Sequence, residues 1–353
     1  MLSIYRIILF CLISSSVASS RTEDIHIFMG SDSNYIMPTS VAIASLLSNS
    51  TSREVIYVHM FDFGLNRRDR EILRSLADIK PFNIDFIHFA QDRVRDLKVC
   101  KSWPYGIFAK YFIPLESKKY NIAKAIWLDS DTVVNGNIRE LYDINLRDNY
   151  IAGSPQIIST LLAIPLVQEC ESPIFNAGVL LFNCKKMNED GMLEKLLAAT
   201  IKLQDKVIGI DEEAFHKVIG NNSIILPFKY NWRESLCMFQ IFLKVFRDVT
   251  NDERLPVVTR MFKLMQIKMD EYGKSSSDGI DTLIQHYCFT KPWKLGQGSE
   301  YSYLWYRYLK LTPFYDFRQC MIGGINNDIW KALKICLWTT SSIYKLGLKL
   351  FLA

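Results

Sequence analysis

The feature that most limits the fold is the run Lys124-Ala125-Ile126-Trp127-Leu128, which stops abruptly at Asp129-Ser130-Asp131. A run this apolar, ended by acid, reads as a strand buried on both faces, as in a parallel sheet covered by helices. Upstream, similar strands alternate with helical stretches: residues 25–29 then 37–47, 55–60 then 69–77, and 84–89. This alternation predicts an α/β, doubly wound, mostly parallel sheet. After Asn149 the rhythm changes. Residues 174–182 form another apolar run, 192–203 and 212–219 read as helices, and 232–278 reads as helical or as an irregular insertion. No repeat or low-complexity linker divides the chain, so one domain with peripheral additions is expected.

In such sheets ligands bind beyond the carboxyl ends of the strands. Two polar clusters fall there: 30–35 after the first strand and 129–131 after the fourth. Asp129 and Asp131, two positions apart, can reach one divalent ion. Their hard oxygens suit Mn²⁺ or Mg²⁺, and such an ion can also grip a diphosphate. His286, after Leu283-Ile284-Gln285, can complete the coordination, and Lys291 can meet phosphate charge. In the first cluster the Tyr35 ring can stack on a base while Asp32 and Asn34 bond its edge and ribose. Asn176 is a polar side chain in the apolar run Phe175-Asn176-Ala177-Gly178-Val179, costly unless partnered. Asp211-Glu212-Glu213 can start a helix, where negative charge is favoured, or face a sugar. Each candidate also has a plain structural reading. Asp129–Asp131 can be a solvated loop or helix cap, His286 a satisfied core histidine, 32–35 an ordinary turn, and Asn176 an amide bonded to nearby backbone.

Composition excludes more than it assigns. With 49% hydrophobic and 22% charged residues the chain is globular, and a net charge of +5 is too mild to argue for nucleic acid. There is no G-x-x-x-x-G-K-[ST] and no G-x-G-x-x-G after a strand, which disfavours P-loop and dinucleotide folds; Gly296-Gln297-Gly298 lies late. None of the eight cysteines forms a CxxC pair. They fit reduced, buried thiols, or a disulfide framework if the chain is luminal. The sequons at Asn49 and Asn221 are close to the chance expectation.

The ends differ from the middle. Residues 1–20 have a basic start at Arg6, an apolar run over 7–13 and the small-residue site Ser16-Val17-Ala18, so they read as a cleaved signal or a weak anchor. Residues 329–353 carry Lys331, Lys334, Lys345 and Lys349 among Trp330, Leu333, Leu337 and Trp338, with no acid after Asp328. That pattern suits a basic amphipathic helix in a lipid interface; the alternative is a helix packed on the domain. The expected organisation is 1–20 as a leader or anchor, 21–300 as the main domain, and 301–353 as a helical, membrane-associating extension.

Taken in order, these motifs resemble glycosyltransferase family 8, closest to its bacterial lipopolysaccharide branch. The likeness runs from about 25 to 293. It is carried by Asn34-Tyr35-Ile36-Met37-Pro38, the stretch from Ala125 to Val134, Phe175 to Leu181, and Lys291-Pro292-Trp293. The resemblance implies a GT-A nucleotide-sugar-binding fold, a UDP-hexose donor (galactose or glucose), Mn²⁺ with Mg²⁺ as alternative, and retention of configuration. It implies a glycan or glycolipid acceptor such as lipopolysaccharide, and peripheral membrane contact at the cytoplasmic face of a bacterial inner membrane. A secretory lumen is the alternative if 1–20 is a functional signal. Carried over by position, Asp129, Asp131 and His286 would bind the metal. Gly30, Asp32, Asn34, Tyr35, Lys110, Ser130, Gly178 and Lys291 would line the donor site, with Lys291 at the diphosphate. Asn176, Asp211 and Glu212 would be catalytic.

The chain departs from the family pattern in four places. Lys110 stands for the usual arginine, and Asp211-Glu212-Glu213 for Asp-Gln-Asp. The stretch from His286 to Lys291 is one residue short and lacks a glycine, and an acid is replaced near Ser154-Pro155. These departures support a non-catalytic UDP-sugar or glycan binder as the competing expectation.

Overall fold

The computed structural model describes residues 24–97, 105–156, 173–203, 210–233, 282–288, 290–294 and 301–315. The expectations for 1–20, for 234–278 and for 329–353 lie outside the described residues. The first half alternates as its sequence pattern requires. Strands β1 (Asp24–Ser31), β2 (Val55–Asp62), β3 (Asn83–His88) and β4 (Lys124–Leu128) are separated by α1 (Ile36–Ser48), α2 (Arg67–Ser75) and α3 (Ile113–Lys119). Then follow β5 (Thr132–Val134), α4 (Arg139–Tyr142), β6 (Ile151–Pro155), β7 (Phe175–Asn183), α5 (Cys184–Glu189), α6 (Met192–Leu203) and α7 (Ile210–Ile219). The last described elements are β8 (Ser223–Ile225), β9 (Ile284–His286) and α8 (Ser302–Leu309).

The main sheet has the order β3-β2-β1-β4-β7-β6-β8, and β5 pairs with β9 apart from it. Strands β3, β2, β1 and β4 run parallel, β7 is antiparallel to both β4 and β6, and β6 is parallel to β8. The chain leaves β1 toward β2 and later returns to the other side of β1 with β4. The carboxyl ends of β1 and β4 therefore flank a crevice at a topological switch point. Because β7 runs the other way, its first residues lie beside the end of β4. Leu128 pairs with Val179, and the Asp129 N–H donates to the Gly178 carbonyl at 2.8 Å. In the small sheet Thr132 faces His286, which brings the histidine up to Asp131.

Side chains alternate across β1, as strand geometry demands. Ile25, Ile27 and Met29 join α1 on one face, while Phe28 joins Trp127, Phe182 and Phe215 on the other. Helix α1 is buried nearly all round, because α8 covers the side turned away from the sheet. Val41 packs with Tyr287, Trp293, Leu304, Trp305, Tyr308 and Leu309. The hydroxyls this buries are satisfied inside the helix: Thr39 donates to Tyr35 O at 2.7 Å and Ser40 to Ile36 O at 2.8 Å. Just past α1, the two N–H bonds of the Asn49 amide are shared among Ser45 O, Val134 O and Tyr308 Oη, each 2.8–3.0 Å from Nδ2. The sequon amide is thus committed to holding α1, β5 and α8 together. Among the described residues no helix is long and apolar enough to cross a membrane.

Candidate active site

Strand β4 ends in a tight turn in which Thr132 donates to the Asp129 carbonyl through both its backbone N–H (3.2 Å) and its hydroxyl (2.8 Å). The turn aims both aspartates at β9. Trp127 Nε1 donates to Asp129 Oδ1 at 2.6 Å, and Asp129 Oδ2 lies 3.7 Å from His286 Nε2. Asp131 Oδ1 lies 3.2 Å from the same nitrogen, while its Oδ2 pairs with Lys291 Nζ. One ligand atom from each of Asp129, Asp131 and His286 falls within 4.8 Å of the others. Gly178 makes the room. A Cβ there would stand 2.1 Å from His286 Cε1 and 2.8 Å from Asp129 Oδ2. Two carboxylates and one imidazole around that clearing fit a divalent cation.

Charge at this cluster is balanced locally. Burial would raise the Asp131 pKa, but His286 and Lys291 hold the carboxyl well below the usual range. Burial would likewise lower that of His286, yet Cys288 and Asp131 push it up to about 10. Lys291 also donates to the Tyr287 carbonyl at 2.6 Å, so the shortened stretch still delivers its ammonium to Asp131.

The second half of the site hangs from β7. Asn176 Nδ2 donates to Glu212 Oε1 at 2.7 Å, and Asn176 Oδ1 accepts from Gly178 N at 3.1 Å and Asn231 Nδ2 at 2.8 Å. Asn231 Oδ1 in turn meets His286 Nδ1 at 3.0 Å. Glu212 Oε1 also accepts from Gln156 Nε2 at 3.2 Å and Ala177 N at 3.4 Å. Asn176 is therefore bonded both to backbone and to the candidate acid. Asp211, in the first turn of α7, pairs with Lys110 Nζ at 2.8 Å. Lys110 is 3% exposed, donates to Ala177 O at 3.2 Å and sits 3.9 Å from Asp129 Oδ1. Burial works against its charge, but Asp211 and Asp129 hold its pKa above the ordinary lysine value. The lysine in the arginine position thus bridges two carboxylates.

At the end of β1, Asp32 caps a short 3-10 turn (Ser33–Tyr35) by accepting from Tyr35 N at 3.0 Å, and Asn34 Nδ2 lies 3.4 Å from Asp32 Oδ2. The Tyr35 ring meets Trp293 edge-on at 6.1 Å. Burial raises its phenol pKa, with Lys291 opposing the rise and Asp131 adding to it. Ser130 Oγ donates to Gly30 O at 2.7 Å and ties the two strand ends together. A Cβ on Gly30 would lie 2.6 Å from the Phe63 ring, so that glycine answers to packing. At the replaced acid, the buried Ser154 donates to Pro227 O at 2.9 Å.

Two buried residues at this site escape a reading of the sequence. Asn231 is one amide among aromatics, and Arg233 one cation in a polar stretch; only the pairing of 231–233 with β9 brings them in. Arg233 Nη2 donates to the Pro155 carbonyl, while its Nε and Nη1 meet no hydrogen-bond partner among the described residues.

A family model described as Glycosyl transferase family 8 matches residues 26–295. Lipopolysaccharide 1,3-galactosyltransferase of Salmonella typhimurium is 23% identical over 229 residues, 62% of this chain and 66% of that protein. Lipopolysaccharide glucosyltransferase WaaO of Escherichia coli is 24% identical over 233 residues, 63% and 67% of the two chains. With a Haemophilus influenzae relative matched over 53% of its length, the chain spans about half to two thirds of such curated relatives. The galactosyltransferase LgtC, solved with donor and acceptor sugar analogues, superposes with a TM-score of 0.63 at 18% identity, covering 82% of this chain and 96% of that one. That likeness shows the GT-A fold.

Proposed function

The chain belongs to glycosyltransferase family 8, and we propose that it moves a hexose, galactose or glucose, from a UDP-sugar to a glycan acceptor such as a lipopolysaccharide, with retention of configuration. The reading rests on one observation above all: Asp129, Asp131 and His286 converge around the side-chain-free Gly178, with Lys291 on one flank. Mn²⁺, or Mg²⁺, is the proposed metal. Once bound, it supplies Lewis-acid stabilisation of the charge on departing UDP.

The protein's own groups supply the rest. Asp32, Asn34 and Tyr35 border the cluster where uridine is expected, the ring offering a face to the base. Lys291 is within reach of the same region as Asp131 and can transfer its hydrogen bonds to a diphosphate. Three donors converge on Glu212 Oε1: Asn176 Nδ2, Gln156 Nε2 and the Ala177 N–H. Its role is to face the anomeric carbon, either as nucleophile of a double displacement or as support for an oxocarbenium-like state in front-face attack. Asn176 and the Asp211–Lys110 pair fix the walls around it. Glu212→Gln is expected to lower kcat about 10²–10³-fold, the size of loss seen when one charge-stabilising group is removed. Near-normal transfer by that variant would end the role.

The deciding experiment is UDP release from a panel of UDP-sugars with and without Mn²⁺, wild type against Asp131→Ala. Metal-dependent release with one preferred sugar, lost in the variant, is expected. Mn²⁺-dependent UDP binding without release, even by hydrolysis, would instead favour a non-catalytic binder. For location, we propose peripheral contact with the cytoplasmic face of a bacterial inner membrane through 329–353, on the strength of its four lysines and absent acids. Co-sedimentation with anionic vesicles should fail when 329–353 is removed; undiminished binding would reject the tether.

A further inference from the structure

The triad and the candidate acid are joined by an unbroken buried path: His286 Nδ1 to Asn231 Oδ1 (3.0 Å), Asn231 Nδ2 to Asn176 Oδ1 (2.8 Å), Asn176 Nδ2 to Glu212 Oε1 (2.7 Å). Its polarity is forced. The Gly178 backbone N–H can only donate, so the Asn176 atom it meets is the carbonyl oxygen, and the amide nitrogen faces Glu212. That oxygen also accepts from Asn231, so Asn231 must offer its nitrogen there and its oxygen to His286. An oxygen acceptor requires His286 Nδ1 to carry a proton. The nitrogen left to face Asp129 and Asp131 is Nε2.

No other described side chain does this. Cys288 Sγ is 3.2 Å from both ring nitrogens, and an atom equidistant from the two cannot lie in line with either lone pair. Asn231 is held in place by backbone rather than by its side chain. It follows a 3-10 turn (Phe228–Tyr230), and Trp232 zips onto β9 on both sides, with Trp232 N to Ile284 O at 2.8 Å and His286 N to Trp232 O at 2.7 Å. The residue is 0% exposed.

We propose that Asn231 is a positioning residue: it fixes the proton on His286 Nδ1, aims Nε2 at the metal, and couples that ligand to Asn176 and hence to Glu212. The proposal rests on Asp129, Asp131 and His286 being the metal ligands. Partners of this kind behind a metal-bound histidine set its ring orientation and tautomer, and their loss costs about 10- to 100-fold in metal affinity.

The test is Mn²⁺ affinity of the full chain without donor, by electron paramagnetic resonance, alongside kcat and donor KM. Asn231→Ala should weaken Mn²⁺ by about 10- to 100-fold. Asn231→Asp retains an oxygen for His286 but cannot donate to Asn176. It should keep Mn²⁺ affinity near wild type while kcat falls and donor KM stays put. Equal Mn²⁺ affinity in wild type and Asn231→Ala, or equal loss in both variants, overturns the proposal. Should the alanine variant fail to fold by circular dichroism, the aspartate variant decides alone, and an unchanged kcat rejects the coupling. Wild-type protein that binds no Mn²⁺ refutes the metal assignment instead, which separates the two failures.

Discussion

Single residues at this site are loud or silent according to what they need from their neighbours. Asp129, Asp131, His286 and Asn176 can be picked out of the sequence because ionisable or amide groups at strand ends or inside apolar runs demand partners. Asn231 cannot, since its partners are 55 positions away in both directions. Lys110 is legible as a cation, but not as a bridge whose charge is used by Asp211 and Asp129. Lys110→Met should therefore act on stability, leaving two carboxylates short of a counter-charge. A loss of about 3–5 kcal/mol is expected in urea unfolding. Gly178→Ala acts instead on the site, because its Cβ would lie 2.1 Å from His286 Cε1. The ring must move or the strand must shift. Mn²⁺ titration should show a weakened site, with stability lowered by about 1–3 kcal/mol.

At the scale of elements, strand positions are legible and strand directions are not. β7 is buried at eight consecutive positions, as a parallel central strand would be, yet it runs antiparallel to β4. A pattern without alternation reports burial on two faces and carries no sense of direction. The pairing of β1 with β2 has its own consequence. His59 stacks on Phe28 at 4.6 Å, and its Nε2 lies 3.1 Å from His26 Nδ1. Burial, with His26 adding to it and Asp85 opposing, lowers the His59 pKa from 6.5 to about 4. The folded protein thus binds fewer protons than the unfolded chain between those values. This contribution is complete above pH 6.5 and is lost as pH falls toward 4. It is worth about 3 kcal/mol at most, at ~1.4 kcal/mol per unit. Replacing His59 with leucine should flatten the acid limb of a stability–pH curve measured by urea unfolding; an unchanged limb would assign it elsewhere.

For the whole molecule, the parallel half follows from the strand–helix rhythm, while the second half depends on pairings between distant segments. The family match ends at 295, but the packed core continues to α8, where Trp305 is 1% and Leu309 0% exposed. Trp305→Ala should cost about 3–5 kcal/mol and lower the melting temperature. If the melt does not move, α8 is not part of the cooperative unit.

The two-stranded ladder of β5 and β9 also sets a timetable. Lys291 lies 160 positions after Asp131, and the imidazole of the triad sits at the end of the late strand β9, shortly before it. During synthesis the parallel first half can collapse first, with Asp129 and Asp131 in place and no histidine beside them. Only when β9 has emerged and paired do Asp129, Asp131 and His286 come together, so binding of the proposed cation would report that this late pairing has formed. A ribosome-bound chain halted before β9 would hold the parallel strands without the third residue of the triad.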